Sequence, residues 1–216
     1  MRRALDFRDL IIGAIKNETD RDKQRLIGPS SMGGCAYCLA LEMLGQGEKR
    51  PFSMYPMLGT AFHYYMEHHM PIEGMQTEQK VDICYIEGYG QIRGTIDLWY
   101  PKLGIVGDYK LVGKNTLTKI RLDGPSKTYS YQAQVYGYGL AQLGHEVKET
   151  HILFVPRDGG NINHLVDHVE AYDENLALAA IDRTQQIWDY VSTEGNSPED
   201  IDSDEECYNC KLSGRI

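Results

Sequence analysis

Two Cys-x-x-Cys motifs lie near opposite ends of this 216-residue chain, at Cys35–Cys38 and Cys207–Cys210. Four thiolates are the number that a closed zinc site or an iron–sulfur cluster requires. One centre bound by both motifs would bring the two ends of the chain together, and this restricts the fold more than any other feature. The fifth cysteine, Cys84, lies in a strand-like segment and is interpreted as a core residue.

The composition is that of one ordinary globular domain, since 42% of the residues are hydrophobic and 25% are charged. The net charge of −9 is concentrated, because seven acidic residues and no Lys or Arg lie between Glu194 and Glu206. The global charge therefore does not exclude nucleic acid as a partner. No apolar run is long enough to span a bilayer, and Asp6 and Asp9 interrupt the start, where a signal peptide would be apolar. We therefore expect a protein of the cytosol without membrane contact, in which thiols stay reduced.

Hydrophobic spacing predicts helices on both sides of a short mixed sheet, an α/β fold in one domain. Helices are expected over residues 4–16, 38–45, 58–70, 126–144 and 173–193, and strands over 78–86, 91–100, 104–112, 151–156 and within 163–172. The first three strands should pair as a meander, because a hairpin-type turn at 87–90 joins the first two. On the helix over 58–70, an interval of four predicts one buried stripe, formed by Leu58, Phe62, Met66 and Met70.

Charged side chains on the predicted middle strands point to chemistry. Asp97 lies on the strand face opposite Ile96, and Asp108 and Lys110 are two residues apart and so share a face. A carboxylate and an ammonium on an apolar strand destabilise the fold unless they are paired or bind a metal ion. For any one of them alone, an exposed surface charge is the simpler explanation. Together with Glu78 on the first strand, they form a set of hard ligands suited to Mg²⁺ or Mn²⁺.

Five motifs follow one another in a fixed order. They are Gly-x-x-x-His at Gly59–His63, an acidic strand residue at Glu78, Gly-x-x-Asp at Gly94–Asp97, Asp-x-Lys at Asp108–Lys110 and Gln-x-x-x-Tyr at Gln132–Tyr136. In this order they resemble the PD-(D/E)XK nuclease superfamily, in the RecB-like branch that includes CRISPR-associated and phage recombination exonucleases. A second Gln-x-x-x-Tyr overlaps at Gln134 and Tyr138, and the spacing from Tyr129 favours Gln132.

The resemblance implies a restriction-endonuclease-like core over residues 58–193 and a Mg²⁺-dependent exonuclease acting on DNA in recombination or repair. The implied metal ligands are His63, Asp97, Asp108 and the carbonyl of Tyr109. Lys110 would act on the developing negative charge, Gln132 and Tyr136 would contact the phosphate or position Lys110, and Glu78 would bind metal or orient water. Recombination or CRISPR-adaptation proteins are the implied partners, in a bacterial or phage-infected cytosol.

The same branch contains iron–sulfur members whose cysteines join the two chain ends. For Cys35, Cys38, Cys207 and Cys210 the resemblance therefore implies a [4Fe–4S] cluster. Those members have one N-terminal and three C-terminal cysteines, whereas this chain has two and two, so zinc is the alternative. The cysteine site would join an N-terminal helical segment, 1–57, to an acidic linker and C-terminal motif, 194–216.

Residues 101–130 carry a local excess of basic side chains, which makes Lys114, Lys119 and Lys127 candidate DNA contacts. A solvated lysine-rich loop explains them equally well. The alternative function is a non-catalytic module that binds nucleic acid or protein on a nuclease-like scaffold with a structural zinc site. The intact set of Asp97, Asp108 and Lys110 argues against it, because a scaffold would not need all three.

Overall fold

The computed structural model describes residue 12 and residues 26–47, 54–70, 72–159 and 161–216. The helix predicted over residues 4–16 falls outside these ranges, apart from Ile12. Within the described ranges, no helix combines the length and the apolar character that crossing a membrane requires.

In the described chain, five strands form one sheet in the order β1-β2-β3-β4-β5. The strands are β1 (Gln76–Ile86), β2 (Gly90–Tyr100), β3 (Ile105–Val112), β4 (Glu149–Pro156) and β5 (Val166–Ala171). The first three are antiparallel neighbours, β3 and β4 are parallel, and β5 is antiparallel to β4. The α/β class, the mixed sheet and the meander of the first three strands are therefore confirmed.

Helices cover this sheet. Those in the described ranges are α1 (Pro29–Met32), α2 (Ala36–Met43), α3 (Tyr55–His69), α4 (Lys114–Asp123), α5 (Lys127–Gln142), α6 (Glu174–Ser192) and α7 (Tyr208–Leu212). Parallel strands need a crossover connection, and α4 and α5 provide it between β3 and β4. The main core lies between the sheet, α5 and α6, and a smaller one lies under α4.

Two glycines in the middle of α5 allow this helix to pack closely. A glycine inside a helix is less favourable than alanine by about 1 kcal/mol. A Cβ atom at Gly139, however, would lie 2.8 Å from Ile83 Cδ1, and one at Gly137 would lie 2.7 Å from Tyr172 Cδ2. The helix predicted over 126–144 forms despite these glycines, because their small size lets α5 lie directly against β1 and Tyr172.

Helix α3 departs from the sequence prediction. No residue of α3 is buried in the described structure, and Leu58 is 37% exposed. Its principal packing is on β3, where the ring of Phe62 meets the ring of Tyr109 edge-on at 5.7 Å. The buried stripe predicted from Leu58, Phe62, Met66 and Met70 is therefore wrong, because α3 packs mainly on β3 and this contact leaves the residues of the stripe partly or fully exposed.

Candidate active site and cysteine cluster

The two candidate carboxylates lie where β2 and β3 separate. Three pairs of residues are partners across these strands: Tyr100 with Ile105, Trp99 with Val106, and Leu98 with Gly107. Asp97 and Asp108 are the next residue on each strand, and they are only 5% and 4% exposed. The divergence of the strands therefore places two carboxylates at the base of a fork.

Glu78 lies opposite Asp97 in an unusual backbone conformation. Its neighbours Thr77 and Gln79 pair with Leu98 and Ile96, while Glu78 itself leaves the ladder. Its φ is +50°, the only positive φ of a non-glycine residue in the described ranges. Such conformations cost roughly 1–3 kcal/mol and persist where the surroundings impose them, often at functional sites. The strain here accompanies a carboxylate that faces the fork.

His63 of α3 joins these two carboxylates. Its Nδ1 atom lies 3.0 Å from Asp97 Oδ1 and 3.6 Å from Glu78 Oε1. Burial disfavours the charged imidazole, but the hydrogen bond and charge of Asp97 outweigh it and raise the pKa of His63. Burial and then the charge of Asp97 raise the pKa of Glu78. One donor atom from each residue lies within 4.8 Å of the others, so the three can share one metal ion.

Asp108 belongs to a second group on the other side of the fork. Its Oδ2 atom lies 2.6 Å from Lys110 Nζ, and its Oδ1 atom accepts a hydrogen bond from Gln132 Nε2 at 3.1 Å. Gln132 Nε2 also lies 3.3 Å from the hydroxyl of Tyr136. Burial raises the pKa of Asp108 to about 6; Lys110 opposes this rise and Asp97 adds to it. The structure therefore brings together four residues that the sequence nominated.

The overlapping Gln-x-x-x-Tyr motif has a different position. Gln134 Nε2 donates to the carbonyl of Ala171 at 3.1 Å, and its Oε1 accepts from the backbone N–H of Asp173 at 2.8 Å. It is 1% exposed and ties α5 to the start of α6. Gln132 and Tyr136 face the fork, whereas Gln134 faces the opposite side of the helix.

Tyr109 fixes Asp97 from across the fork. Its backbone N–H donates to Asp97 Oδ2 at 2.6 Å. Its ring packs against Phe62 and His63, and burial raises the pKa of its phenol to about 12. Tyr109 thereby holds both Asp97 and helix α3 in place; its carbonyl as a metal ligand stays a prediction.

An open cleft of about 980 Å³ contains these groups. Its lining includes the seven candidate site residues described above: His63, Glu78, Asp97, Asp108, Lys110, Gln132 and Tyr136. It also includes residues of α1 and of the β1–β2 hairpin: Pro29, Ser30, Lys80, Asp82, Arg93 and Thr95. The cations Lys80 and Arg93 lie outside the motifs from which the site was predicted. The signal was present, because Lys80 is two residues from Glu78, and Arg93 is four residues from Asp97, at the even spacing that defines one strand face.

The three lysines nominated as DNA contacts lie elsewhere. Lys114 and Lys119 are on α4, and Lys127 is the first residue of α5; none of them lines the cleft. Lys119 Nζ lies 2.7 Å from Glu206, and Lys127 Nζ lies 4.8 Å from the ring centre of Tyr131. Their contact with DNA stays a prediction.

The four cysteines of the two Cys-x-x-Cys motifs meet in one cluster. In each motif the first cysteine directly precedes a helix, α2 or α7, and the second lies in its first turn. The Sγ–Sγ distances are 3.7 Å for Cys35–Cys210, 3.6 Å for Cys38–Cys207 and 3.7 Å for Cys38–Cys210. All four Sγ atoms lie within 4.8 Å of one another. The separations of 3.6–3.7 Å are much longer than a disulfide bond, and all four thiols are free. The expected junction of the N- and C-terminal segments is therefore confirmed, with a group that can bind metal.

The acidic segment before the second motif is held by Arg215. The guanidinium group of Arg215 donates to the carbonyls of Glu199 and Ile201 and to the hydroxyl of Ser203. Ser197 caps the short 3₁₀ turn Pro198–Asp200. The segment is thus ordered by its own hydrogen bonds as well as by the cysteine cluster.

Solved structures of exonucleases share this fold at low sequence identity. An alkaline exonuclease from Laribacter hongkongensis is 11% identical with a TM-score of 0.54, and the match covers 80% of this chain and 90% of that one. A candidate exonuclease from Eubacterium rectale is 13% identical with a TM-score of 0.54, over 97% and 93% of the two chains. A phage-related exonuclease from Haemophilus somnus 129PT is 12% identical with a TM-score of 0.50, over 74% and 81%. No family model and no curated protein matches the sequence. The chain thus has the fold of these exonucleases, consistent with the PD-(D/E)XK nuclease fold that the motif order predicts.

Proposed function

We propose that the protein is a metal-dependent deoxyribonuclease of the PD-(D/E)XK type, an exonuclease that hydrolyses phosphodiester bonds in DNA recombination or repair. The observation that carries this proposal is the donor set of His63, Glu78 and Asp97 beside the Asp108–Lys110 pair, at the base of an open cleft. The likeness of the fold to exonucleases supports it.

The donor atoms fit Mg²⁺ or Mn²⁺. Carboxylate oxygens are the ligands that these hard cations prefer, and an imidazole nitrogen is compatible with Mn²⁺. His63, Glu78 and Asp97 would hold the ion, with Asp108 and the carbonyl of Tyr109 as further ligands. When bound, such an ion stabilises negative charge on the phosphate and makes water a better nucleophile.

The remaining groups position charge at the site. Asp108 fixes the Lys110 ammonium at 2.6 Å, and Gln132 fixes the other oxygen of Asp108 at 3.1 Å. Lys110 is thereby held beside the carboxylates, where it can stabilise the charge that develops on a phosphate oxygen. The hydroxyl of Tyr136 accepts a second hydrogen bond from the same Gln132 Nε2 at 3.3 Å.

The test is cleavage of end-labelled single- and double-stranded DNA with Mg²⁺, with Mn²⁺ or with EDTA. We expect cleavage with either ion and none with EDTA. Asp97→Ala should reduce the rate by roughly a hundredfold or more, because it removes a ligand and its charge together. Asp123→Ala, which removes an exposed carboxylate at the end of α4, is the matched control. Equal cleavage by a folded Asp97→Ala protein, or no cleavage by the wild type with either ion, would overturn the proposal.

For the cysteine cluster we propose a single zinc ion. Three of the six Sγ–Sγ distances are 3.6–3.7 Å, and none of the six exceeds 4.8 Å. A regular tetrahedron with edges of about 3.7 Å has its centre about 2.3 Å from each corner, which is the Zn–S bond length. In a [4Fe–4S] cluster each thiolate binds a different iron, so the four sulfur atoms must lie farther apart. The observed spacing favours zinc over the cluster that the resemblance implied.

Metal analysis of anaerobically purified protein tests this assignment. We expect a colourless protein with about one zinc per chain. Cys210→Ser should lose the metal, and Cys84→Ser, which changes a cysteine outside the cluster, should retain it. A brown protein with about four irons per chain would contradict the zinc assignment.

A further inference from the structure

The cleft continues from the carboxylates along the β1–β2 hairpin. Side chains two residues apart on a strand share a face, so Thr95 and Arg93 follow Asp97 along β2. Lys80 pairs with Thr95 and Asp82 pairs with Arg93 across the hairpin, and all four line the cleft. Each step along this hairpin ladder, formed by Lys80, Asp82, Arg93 and Thr95, is about 7 Å. The ladder begins one step from the metal-binding group.

Two cations of the ladder are accessible to a ligand. Lys80 is exposed, and its ammonium has no hydrogen bond or ion pair with any residue in the described ranges. Arg93 Nε lies 2.8 Å from Asp82 Oδ1, with the side chains 73% and 62% exposed. An exposed pair of this kind contributes only about 0–1 kcal/mol, so an anion can compete for Arg93.

We propose that the hairpin ladder binds the sugar–phosphate backbone of one DNA strand, with Lys80 and Arg93 each contacting a phosphate beyond the scissile one. This inference rests on the nuclease function proposed above. Neighbouring phosphates of an extended strand are separated by roughly one ladder step. A strand whose scissile phosphate reaches Asp97 therefore brings its next phosphates to Lys80 and then to Arg93.

An isolated exposed lysine on a strand needs no function, so the inference depends on the positions of Lys80 and Arg93 relative to the carboxylates. Lys80 and Arg93 occupy successive rungs of the strand face that bears Glu78 and Asp97, inside the same cleft. Lys and Arg contacts to phosphates fix the register of a strand without reading its bases. Binding along the ladder should therefore not depend on base sequence.

The test measures binding of labelled single-stranded DNA by fluorescence anisotropy at several salt concentrations, in an Asp108→Asn background that prevents cleavage. Lys80→Ala and Arg93→Ala should each weaken binding about fivefold at about 0.1 M salt and reduce the salt slope by about 0.7, because one fewer counterion is released. Asp82→Ala should tighten binding, since it frees Arg93 and removes a negative charge. Lys102→Ala, an exposed lysine in the turn after the other end of β2, should change neither quantity.

Unchanged affinity and salt slope in both Lys80→Ala and Arg93→Ala would overturn the inference, and so would the absence of DNA binding by the background protein. Cleavage by the wild type, measured separately, tests the nuclease function. If the protein cleaves DNA but its binding does not depend on these two cations, the proposed nuclease function stands and the proposed DNA binding by the ladder is refuted. If it binds DNA through them and never cleaves it, the binding proposal stands and the nuclease function is refuted.

Discussion

Gly94→Ala tests how tightly one wall of the cleft is packed. Gly94 belongs to the Gly-x-x-Asp motif, and a Cβ atom there would lie 2.6 Å from Tyr136 Cε1 and 2.8 Å from Pro29 Cγ. Tyr136 is 6% exposed and Pro29 is buried at the start of α1, so neither ring can move freely. The added methyl group must displace one of them. Overpacking of this kind destabilises a protein by about 1–3 kcal/mol.

Gly59→Ala is the matched control in the other glycine motif. Gly59 lies inside α3, and apart from the backbone of α3 itself no atom of the described residues would lie within 4 Å of a Cβ atom there. Alanine is more favourable than glycine inside a helix by about 1 kcal/mol. The two glycines therefore predict changes of opposite sign in the free energy of unfolding.

Thermal unfolding of the two variants and the wild type measures this difference. In a chain of this size, 1 kcal/mol shifts the midpoint by about 2–4 °C. Gly94→Ala should lower the midpoint by about 2–12 °C, and Gly59→Ala should raise it by up to about 4 °C. A Gly94→Ala protein with the wild-type midpoint would refute the close packing of Tyr136 and α1 on β2.

Three further substitutions separate chemistry from structure. Lys110→Ala should slow single-turnover cleavage by about a hundredfold while changing DNA affinity much less, because Lys110 is held beside the carboxylates; a variant that loses only affinity would contradict this role. Gln134→Leu should lower the unfolding free energy by roughly 1–3 kcal/mol, because it removes the partner of the partly buried N–H of Asp173 and of the carbonyl of Ala171. Its cleavage rate per folded molecule should match the wild type, whereas Gln132→Leu, which removes the hydrogen bond to Asp108, should lower the cleavage rate per folded molecule.

The positions of the strand carboxylates could be predicted from the sequence, because alternation along a strand fixes the face of each side chain. The choice between Gln132 and Gln134 is harder. The two residues are two positions apart on one helix, so their side chains are rotated by about 200° around the helix axis and lie on nearly opposite faces. The spacing from Tyr129 favours Gln132, but the packing of α5 on the sheet is what places Gln132 at the fork and Gln134 on the opposite side.

Other features depend on backbone geometry that no spacing rule describes. Glu78 meets His63 and Asp97 because it adopts a positive φ, and the residue type gives no sign of this. The stripe of α3 has the right period for a buried helix, yet period reports which residues share a face and not how much of that face is covered. Lys80 could not be predicted as a site residue for the same reason. Its charge indicates a ligand contact only once the structure shows that the cleft extends past it.

Helix α1 connects the cysteine cluster to the cleft. A helix of four residues has no stability of its own, so contacts at both ends must fix it. At its start Pro29 packs on Gly94 and lines the cleft. At its end Arg183 donates to the carbonyls of Met32 at 2.8 Å and Gly34 at 2.7 Å, and Cys35 follows directly. The position of the cleft wall therefore depends on the same short segment that supplies the first thiolate of the cluster.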